Sequence, residues 1–308
     1  MNFTERLGDR LLSNTRSDRV RDVAALTRRS VRSKRALFRA EGPQNVREAL
    51  RLALSDTPPP PPGLPGLDAV YVTEAELERH PDIAADLEAL AERGGVFIRA
   101  VTAEVLAAMT DSVTPQGMLA VCSLPSLTLD LALARAELAC VLVRVQDPGN
   151  AGTVVRAADA AGARAAVFTS GSVDPFNPKA VRSSAGSLFH VPVVTGAELA
   201  EIAVAARQHS LGVLAADGYA DILVDELADA ALLRSAGVEP FAHTPYKLSR
   251  PTAWLFGNEA QGLTDEEKAH ADCAVAVPLY GAAESLNVGT AATVCLYASA
   301  RAQRRAHP

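Results

Sequence analysis

From residue 137 onward, short apolar segments alternate with helical ones, and this regular alternation constrains the fold more than any other feature of the sequence. Strands that alternate with helices in this way form a parallel sheet whose two faces are both covered. The predicted strands are LACVLVRV (138–145), AAVFTS (165–170), FHVPVV (189–194), LGVLAAD (211–217), TAWLFG (252–257) and DCAVAVPL (272–279). The predicted helices cover 151–162, 178–187 and 197–208, and two more begin at Thr264, with a capping box to Glu267, and at Leu286.

The preceding part of the chain predicts a smaller α/β unit. Residues 1–36 are predicted as a basic helix, followed by a short strand, a turn at Gly42-Pro43 and a helix from Asn45. The same alternation continues with a strand at 68–73, a helix at 82–92 and a strand at 96–101. The proline run Pro58–Pro62 can form neither helix nor inner strand, so we interpret it as a stiff extended loop within this unit. The predicted division is 1–110 for this unit, 111–136 for a linker and 137–308 for the sheet domain.

Length and composition agree with two globular domains. At roughly 100 to 200 residues per domain, 308 residues suffice for two domains with separate apolar cores. No run approaches the roughly 18 apolar residues of a membrane-spanning helix, and the start lacks the layout of a signal peptide, so we expect a cytoplasmic protein. The four cysteines and six histidines show no metal-ligand or disulfide spacing, so we expect neither a metal nor disulfides.

The charge is distributed unevenly along the chain. The whole chain carries a net charge of −6, yet the segment 16–39 holds nine basic residues against two acids, a net charge of +7. Such a cluster can neutralise phosphates and release their counterions when nucleic acid binds. Taken alone, a basic run is more often a solvated helix face.

Three loops predicted at the carboxyl ends of the parallel strands contain the candidate chemistry. They are QDPGNAGTVVRAADAAGA (146–163), GNEAQGL (257–263) and PLYGAAESLNVGTAA (278–292). Ligands of parallel α/β folds bind at this edge of the sheet. None of the loops is a GxGxxG dinucleotide fingerprint, a GxxxxGK[ST] phosphate loop or a GxSxG elbow. Each loop alone also has a purely structural interpretation: Asn150 or Ser285 as a helix cap, and Gly257 as a turn.

Taken together and in this order, the loops resemble the three signature motifs of the SpoU/TrmH family of RNA ribose 2′-O-methyltransferases. The matching segments are DPGNAGTVVRAADAAGA, LFGNEAQGL and VPLYGAAESLNVGTAATVCLY. TPQGMLAV (114–121) is similar to the joint between the two domains of that family, and FRAEGPQNVREAL (38–50) to the opening of its ribosomal-protein-L30e-like RNA-binding domain. The resemblance implies a SPOUT domain whose parallel sheet contains a deep trefoil knot, although knots are otherwise rare.

The resemblance also implies a cofactor site for S-adenosylmethionine in the knot. The implied cofactor-binding residues are Leu255, Gly257, Asn258, Pro278, Leu279, Ser285 and Leu286. Glycine at 257 permits the backbone to approach a ligand closely. The enzyme then has to place a ribose 2′-hydroxyl in line with the methyl group and help remove its proton, which requires polar side chains and no metal.

The implied catalytic residues come from all three motifs. Arg156 would activate the 2′-hydroxyl, either as a base or by binding phosphate and stabilising the developing alkoxide, and a guanidinium is a poor base in water. The residues that would orient Arg156, the ribose and the cofactor are Asn150, Glu259, Ser285 and Asn287. Glu259 more readily fits a role in holding the loops together, with general base as the alternative.

Partners follow from the same resemblance. The family implies a homodimer, with the terminal helix 286–300 supplying interface surface. It also gives weight to the basic segment, whose favoured RNA contacts are Arg28, Arg29, Arg32, Lys34 and Arg35. The segment 218–251 is longer than a compact member needs, and we interpret it as a partly helical insertion.

Several functions stay open at this stage. Structured 23S ribosomal RNA is favoured over transfer RNA because an L30e-like domain suits ribosomal stem-loops, and an antibiotic-resistance enzyme that modifies ribosomal RNA is a variant of the same function. A catalytically silent knotted RNA-binding protein is disfavoured because all five polar residues of the motifs are present: Asn150, Arg156, Glu259, Ser285 and Asn287. A knotted enzyme acting on a base nitrogen is disfavoured by the N-x-G-x-x-x-R and S-L-N segments.

Overall fold

The computed structural model describes residues 11–55, 62–240 and 244–306. The chain divides into two compact units, one formed by Met1–Ser126 with Asp174–His190 and the other by Leu127–Val173 with Val191–Pro308. Most of the predicted proline loop and the first ten residues of the predicted basic helix lie outside the described residues. Within the described ranges, no helix combines the length and the apolar character that crossing a membrane requires.

The first unit is built on a four-stranded mixed sheet in the order β1-β4-β2-β3. Its strands are β1 (Leu37–Glu41), β2 (Leu67–Val72), β3 (Phe97–Ala100) and β4 (Met118–Ser123). Strand β4 runs antiparallel to both β1 and β2, whereas β2 and β3 are parallel. Its helices are α1 (Asp18–Ala25), α2 (Arg29–Arg35), α3 (Pro43–Leu54), α4 (Glu74–Arg79), α5 (Pro81–Arg93), α6 (Ala103–Met109) and α9 (Pro178–Ser184).

The basic N-terminal segment forms two helices where the sequence predicted one. Helix α1 begins at the N-cap Ser17, whose side chain accepts a hydrogen bond from the Val20 backbone N–H. It ends at Ala25, and the carbonyls of Leu26 and Thr27 at the bend accept hydrogen bonds from the buried Arg32 guanidinium. The predicted single helix is therefore wrong: the segment bends after Ala25, and the Arg32 side chain satisfies the backbone carbonyls at the bend.

The first unit also includes segments that the sequence assigned elsewhere. Strand β4 lies within the segment interpreted as a linker, and its six residues complete the sheet. The predicted helix at 178–187 is observed as α9, but it packs in this unit, where Phe176 lies 4.9 Å from Phe38 between ring centroids. The division at residues 110 and 137 stays a prediction.

The second unit confirms the predicted parallel sheet. Its six strands lie in the order β10-β8-β9-β5-β6-β7, and every pairing is parallel. They are β5 (Leu138–Leu142), β6 (Ala165–Thr169), β7 (Val193–Ala197), β8 (Gly212–Ala216), β9 (Thr252–Phe256) and β10 (Cys273–Val275). The helices are α7 (Leu129–Leu133), α8 (Pro148–Ala161), α10 (Leu199–Gln208), α11 (Val224–Ser235), α12 (Asp265–Lys268) and α13 (Val288–Ala306). The trefoil knot stays a prediction.

Burial explains why these strands have apolar sequences. Strands β5, β6 and β9 are buried along their whole length, as expected for a sheet with both faces covered. Helix α13 packs along α8 and is fixed to the sheet by two polar contacts. The Trp254 indole N–H donates to Ser299 Oγ over 2.9 Å, and Gln303 donates to the Glu137 carbonyl over 2.7 Å. The second contact places the end of α13 at the amino edge of the sheet, where β5 begins.

Candidate active site at the carboxyl edge of the parallel sheet

The three predicted motifs follow β5, β9 and β10 in the second unit. We call them loop one (143–147, leading into α8), loop two (257–264, leading into α12) and loop three (276–287, leading into α13). Strands β5 and β9 are direct neighbours, so loops one and two leave the same edge of the sheet side by side. The β9–α12 connection begins at Gly257, where an added Cβ would lie only 2.5 Å from the Gly262 carbonyl carbon. Loop two is therefore folded too tightly for any side chain at residue 257.

The Glu259 carboxylate connects loop two to loop one. Its two oxygens accept hydrogen bonds from the backbone N–H groups of Gln146 and Asp147, each over 3.2 Å. It accepts a third bond from the Asn150 side-chain amide over 3.1 Å. Because three donors surround it, the carboxylate holds the two loops together, as the sequence interpretation favoured.

The pKa of Glu259 bears on its chemical role. Burial by itself would raise that pKa, but hydrogen bonds from its own backbone N–H, from Asn150 and from the Gln146 and Asp147 N–H groups outweigh burial and lower the pKa. A carboxyl group with a lowered pKa is a weak proton acceptor at neutral pH. The geometry therefore favours a structural carboxylate over the general-base alternative.

Asn150 bridges loops two and three. Its Nδ2 donates to Glu259, and its Oδ1 accepts a hydrogen bond from Asn287 Nδ2 over 2.9 Å. Asn287 Oδ1 in turn accepts from the Gly289 N–H over 2.8 Å and so begins α13. A continuous chain of hydrogen bonds, Glu259–Asn150–Asn287, thus joins the three predicted motifs.

The helix caps differ from those inferred from the sequence. Asp147 is the N-cap of α8, and its Oδ1 accepts the Asn150 backbone N–H over 2.8 Å. The structural interpretation of Asn150 as a cap is therefore wrong, because Asp147 already occupies that position and leaves the Asn150 side chain free for the bridge. At the start of α12, the predicted capping box of Thr264 and Glu267 is confirmed.

Arg144 is a residue of this site that sequence reasoning missed. Its guanidinium forms a bidentate ion pair with Glu267, Nε to Oε1 at 2.5 Å and Nη2 to Oε2 at 2.8 Å, and it also donates to Gln261 Oε1 over 3.2 Å. Its carbonyl accepts a hydrogen bond from Asn258 Nδ2 over 3.0 Å. The hydrogen bond to Glu267 is the largest influence raising the Arg144 pKa.

The backbone of Arg144 adopts a conformation that is rare for a residue with a side chain. Its φ of +54° lies in the left-handed region, which favours glycine. Its N–H donates to Thr169 Oγ1, over 3.1 Å, at the end of the neighbouring strand β6. Arg144 follows the apolar strand β5, and a charged residue at that point was the only signal in the sequence.

Loops two and three contain the predicted cofactor residues. Asn258 organises loop two, because its Oδ1 accepts the N–H groups of Ala260 and Gln261 over 2.9 and 3.3 Å. Leu255 is fully buried in the core, so only its backbone could face a ligand. In loop three, the Leu279 side chain is 39% exposed, whereas Pro278 and Leu286 are partly buried.

The unpaired backbone donors and the exposed apolar side chain of loop three fit an adenosyl group. In the part of the chain that the structure describes, the backbone N–H groups of 279–286 donate to no other protein group. Such free donors suit the ring nitrogens of a purine, and the exposed Leu279 side chain suits its flat apolar face. These features fit the cofactor that the resemblance implies.

Arg156 and Ser285 are not connected to the hydrogen-bonded chain. Arg156 lies on the exposed face of α8 with Thr153, and within the described residues its guanidinium contacts no acceptor. Ser285 is likewise exposed on loop three, with no hydrogen bond to another described residue. The structure thus brings Asn150, Glu259 and Asn287 together and leaves these two side chains accessible to a ligand.

The predicted RNA contacts of the first unit divide into two groups. Arg28, Arg29 and Lys34 are exposed and form no ion pair within the described residues, and Arg35 is paired with Asp22 over 2.5 Å. Arg32 is only 2% exposed and is paired with Asp174. The prediction that Arg32 contacts phosphate is corrected, because its guanidinium is enclosed and already bonded.

The cysteines do not form a reactive or metal-binding site among the described residues. All four thiols are free, and burial raises the pKa of each, to about 12 for Cys140 and Cys295 and to about 11 for Cys273, so the neutral thiol is favoured at neutral pH. Among the described residues no group of His, Cys, Asp or Glu is arranged to hold a metal ion.

Comparison with known proteins identifies two family profiles in the chain. The profile described as the SpoU rRNA Methylase family matches residues 137–297, and the profile described as RNA 2'-O ribose methyltransferase substrate binding matches residues 39–128. The first covers loops one, two and three. The second covers most of the described sheet of the first unit and begins after helices α1 and α2.

Similar proteins and structures carry related names. A Bacillus subtilis protein named 23S rRNA (guanosine(2553)-2'-O)-methyltransferase RlmP is 32% identical over 93% of this chain and 97% of its own length. A Streptomyces viridochromogenes 23S rRNA (uridine(2479)-2'-O)-methyltransferase is 34% identical over 61% of each chain. The crystal structure of an AdoMet-bound rRNA methyltransferase from Sinorhizobium meliloti is 27% identical with a TM-score of 0.72, covering 94% of this chain and 97% of that one.

Proposed function

Because the chain belongs to the SpoU rRNA methylase family, we propose that it transfers a methyl group from S-adenosylmethionine to a ribose 2′-hydroxyl of 23S ribosomal RNA. The observation that carries this proposal is the hydrogen-bonded chain Glu259–Asn150–Asn287. It holds loops one, two and three in one arrangement at the edge of the sheet where ligands of parallel α/β folds bind.

S-Adenosylmethionine supplies a methyl group on a positively charged sulfur, which is reactive enough to be attacked by a hydroxyl oxygen. The backbone of loops two and three, from Leu255 to Asn258 and from Pro278 to Leu286, would hold the adenosyl part. Gly257 lets loop two fold back on itself because it has no side chain, and the free N–H groups of loop three supply donors. Positioning of the two reactants accounts for much of the rate enhancement in such a transfer.

Arg156 is the residue that we propose acts on the 2′-hydroxyl. It is exposed and bonded to no described residue, so its guanidinium can bind a phosphate beside the target ribose and stabilise the developing alkoxide. Ser285, exposed on loop three, would orient the ribose or the cofactor. Asn150, Glu259 and Asn287 act indirectly, by fixing the loops from which these groups extend.

The proposal also covers the RNA substrate, the oligomeric state and the cellular location of the protein. The names of the similar proteins support ribosomal RNA over transfer RNA as the substrate. We propose a homodimer in which α13 supplies interface surface, since Val294 and Tyr297 on that helix are 36% and 49% exposed. A cytoplasmic location follows as an expectation from the substrate.

The test is transfer of a radiolabelled methyl group from S-adenosylmethionine to unmodified large-subunit ribosomal RNA and, separately, to unmodified transfer RNA. The variants are Arg156→Ala and, as a matched control, Arg164→Ala, which removes an exposed arginine at the amino edge of the sheet. We expect label in a 2′-O-methyl nucleotide of ribosomal RNA, lost with Arg156→Ala and retained with Arg164→Ala. Label in transfer RNA alone would identify transfer RNA, and not ribosomal RNA, as the substrate. Cofactor binding without transfer to either RNA would contradict the proposal.

A further inference from the structure

Helices α1 and α2 precede the part of the first unit that matches the substrate-binding profile. That profile begins at residue 39, whereas the two helices span Asp18–Ala25 and Arg29–Arg35. We call residues 18–35 the two-helix element. It contains most of the excess positive charge of the N-terminal segment, in a chain whose net charge is −6. Its role is therefore a separate question from that of the substrate-binding fold.

The buried Arg32 fixes the shape of the two-helix element. Its Nη1 donates to the carbonyl oxygens of Leu26 and Thr27 over 2.9 and 2.6 Å, at the bend between the helices. Its Nε donates to Asp174 over 3.0 Å, within the same unit. Because an enclosed guanidinium with these partners is costly to displace, the bend is held in one conformation. The element therefore presents a preorganised surface.

A hollow of about 570 Å³ lies along the element. The charged residues of its lining are Arg21, Asp22, Arg28, Lys34 and Arg35. The single acid in this lining, Asp22, is neutralised by Arg35, and Arg21 is paired with Asp18. Arg28 and Lys34 stay without an acidic partner among the described residues, so the hollow has an uncompensated positive charge.

We infer that the two-helix element is an additional RNA-docking surface, in which Arg28 and Lys34 bind backbone phosphates of the substrate RNA. The inference rests on the proposed function for the identity of the polyanion. Cations that lack partners and lie in a fixed hollow bind phosphate without reading sequence, since their contribution comes from release of counterions. Arg29, exposed at the start of α2, extends the same charged surface.

Neighbouring basic residues of the two-helix element have different roles. Arg28 and Lys34 contact the ligand, whereas Arg32 positions the helices that carry them. Replacing a contact residue should weaken RNA binding and reduce its dependence on salt without unfolding the unit. Replacing Arg32 should destabilise the first unit, because it would leave the Leu26 and Thr27 carbonyls and the Asp174 carboxylate without their donor.

The experiment measures binding of full-length protein to a transcript of unmodified large-subunit ribosomal RNA between about 50 and 200 mM salt. The variants are Arg28→Ala/Lys34→Ala and, as a matched control, Arg135→Ala/Arg164→Ala, which removes two exposed charges from the second unit. Each lost phosphate contact should reduce the slope of log K against log salt by about 1. We expect the first variant to lose nearly two units of slope and to bind about 10- to 100-fold more weakly at low salt. The control should keep the wild-type slope.

Further measurements separate this inference from the proposed function. A charge-retaining variant, Arg28→Lys/Lys34→Arg, should restore most of the affinity, and S-adenosylmethionine should bind all variants equally. A wild-type slope in Arg28→Ala/Lys34→Ala would overturn the inference even if methyl transfer is intact. Tighter binding of wild-type protein to anionic phospholipid vesicles than to the transcript would also overturn it. A third outcome is also informative: the wild type binds RNA in a salt-dependent way, Arg28→Ala/Lys34→Ala loses that binding, and the wild type transfers no methyl group. That outcome would support the docking surface and contradict only the proposed function.

Discussion

The ion pair between Arg144 and Glu267 allows a quantitative test of how the active-site loops are held. Both Arg144 nitrogens on one edge of the guanidinium contact both Glu267 oxygens, and the side chains are 30% and 16% exposed. Fully exposed pairs contribute about 0.2–1 kcal/mol, and hydrogen bonds to charged groups about 1.5–3 kcal/mol. Since this pair is bidentate but partly screened by solvent, we expect a coupling of about 1–2 kcal/mol between the two side chains.

A double-mutant cycle isolates that coupling. Glu267 also accepts a hydrogen bond from the Thr264 N–H over 2.8 Å, so Glu267→Ala alone removes a helix cap together with the ion pair. Comparing Arg144→Ala, Glu267→Ala and the double variant subtracts the contribution of the cap. The readout is hydrogen exchange of the segment 257–268, because local opening can be measured without assuming that a chain of two units unfolds in one step.

The expected result is that Arg144→Ala increases the opening of loop two by about 5- to 30-fold. The double variant should open less than the two single effects predict together. The affinity for S-adenosylmethionine should weaken with the opening of loop two, while turnover at saturating cofactor changes little. Single effects that add within about 0.3–0.5 kcal/mol would refute the reasoning, because they would show that the two side chains act independently.

Three further predictions concern individual residues. Arg144→Gly should destabilise the second unit less than Arg144→Ala, by about 1 kcal/mol, because φ is +54° there; equal melting temperatures would contradict this. Gly257→Ala should abolish S-adenosylmethionine binding in a calorimetric titration, because its Cβ would lie 2.5 Å from loop-two backbone, whereas Gly218→Ala, with open space around it, should bind normally. The lowered pKa of Glu259 means that its stabilising effect is present above its ordinary value of 4.5 and is lost as the pH falls through the lowered pKa. Loop two should therefore be more protected in wild type than in Glu259→Gln at neutral pH, and the difference should disappear in acid; a difference that does not depend on pH would rule out the carboxylate as the cause.

The sequence by itself determined the elements and the chemistry of the second unit. Apolar runs of strand length, separated by helical segments, specify a parallel sheet because only a sheet covered on both faces buries such strands. The capping box at Thr264 is equally local, since its partners lie three residues apart. The three ordered motifs, through the family resemblance that they carry, point to Asn150, Glu259 and Asn287, which hydrogen bonds join in the structure.

Tertiary structure alone decided which charged residues are available to a ligand. Arg28 and Arg32 belong to the same basic run, yet one is exposed and the other is enclosed against an aspartate 142 positions away. Arg144 and Glu267 are separated by 123 positions, so no local pattern indicates their pairing. Hydrophobic periodicity records which face of an element is buried, whereas the partner of a charge depends on how distant segments pack. The sequence therefore determined the parallel sheet and the motifs, whereas packing decided that Arg32 is enclosed, that Arg144 pairs with Glu267 and that Arg28 and Lys34 are exposed.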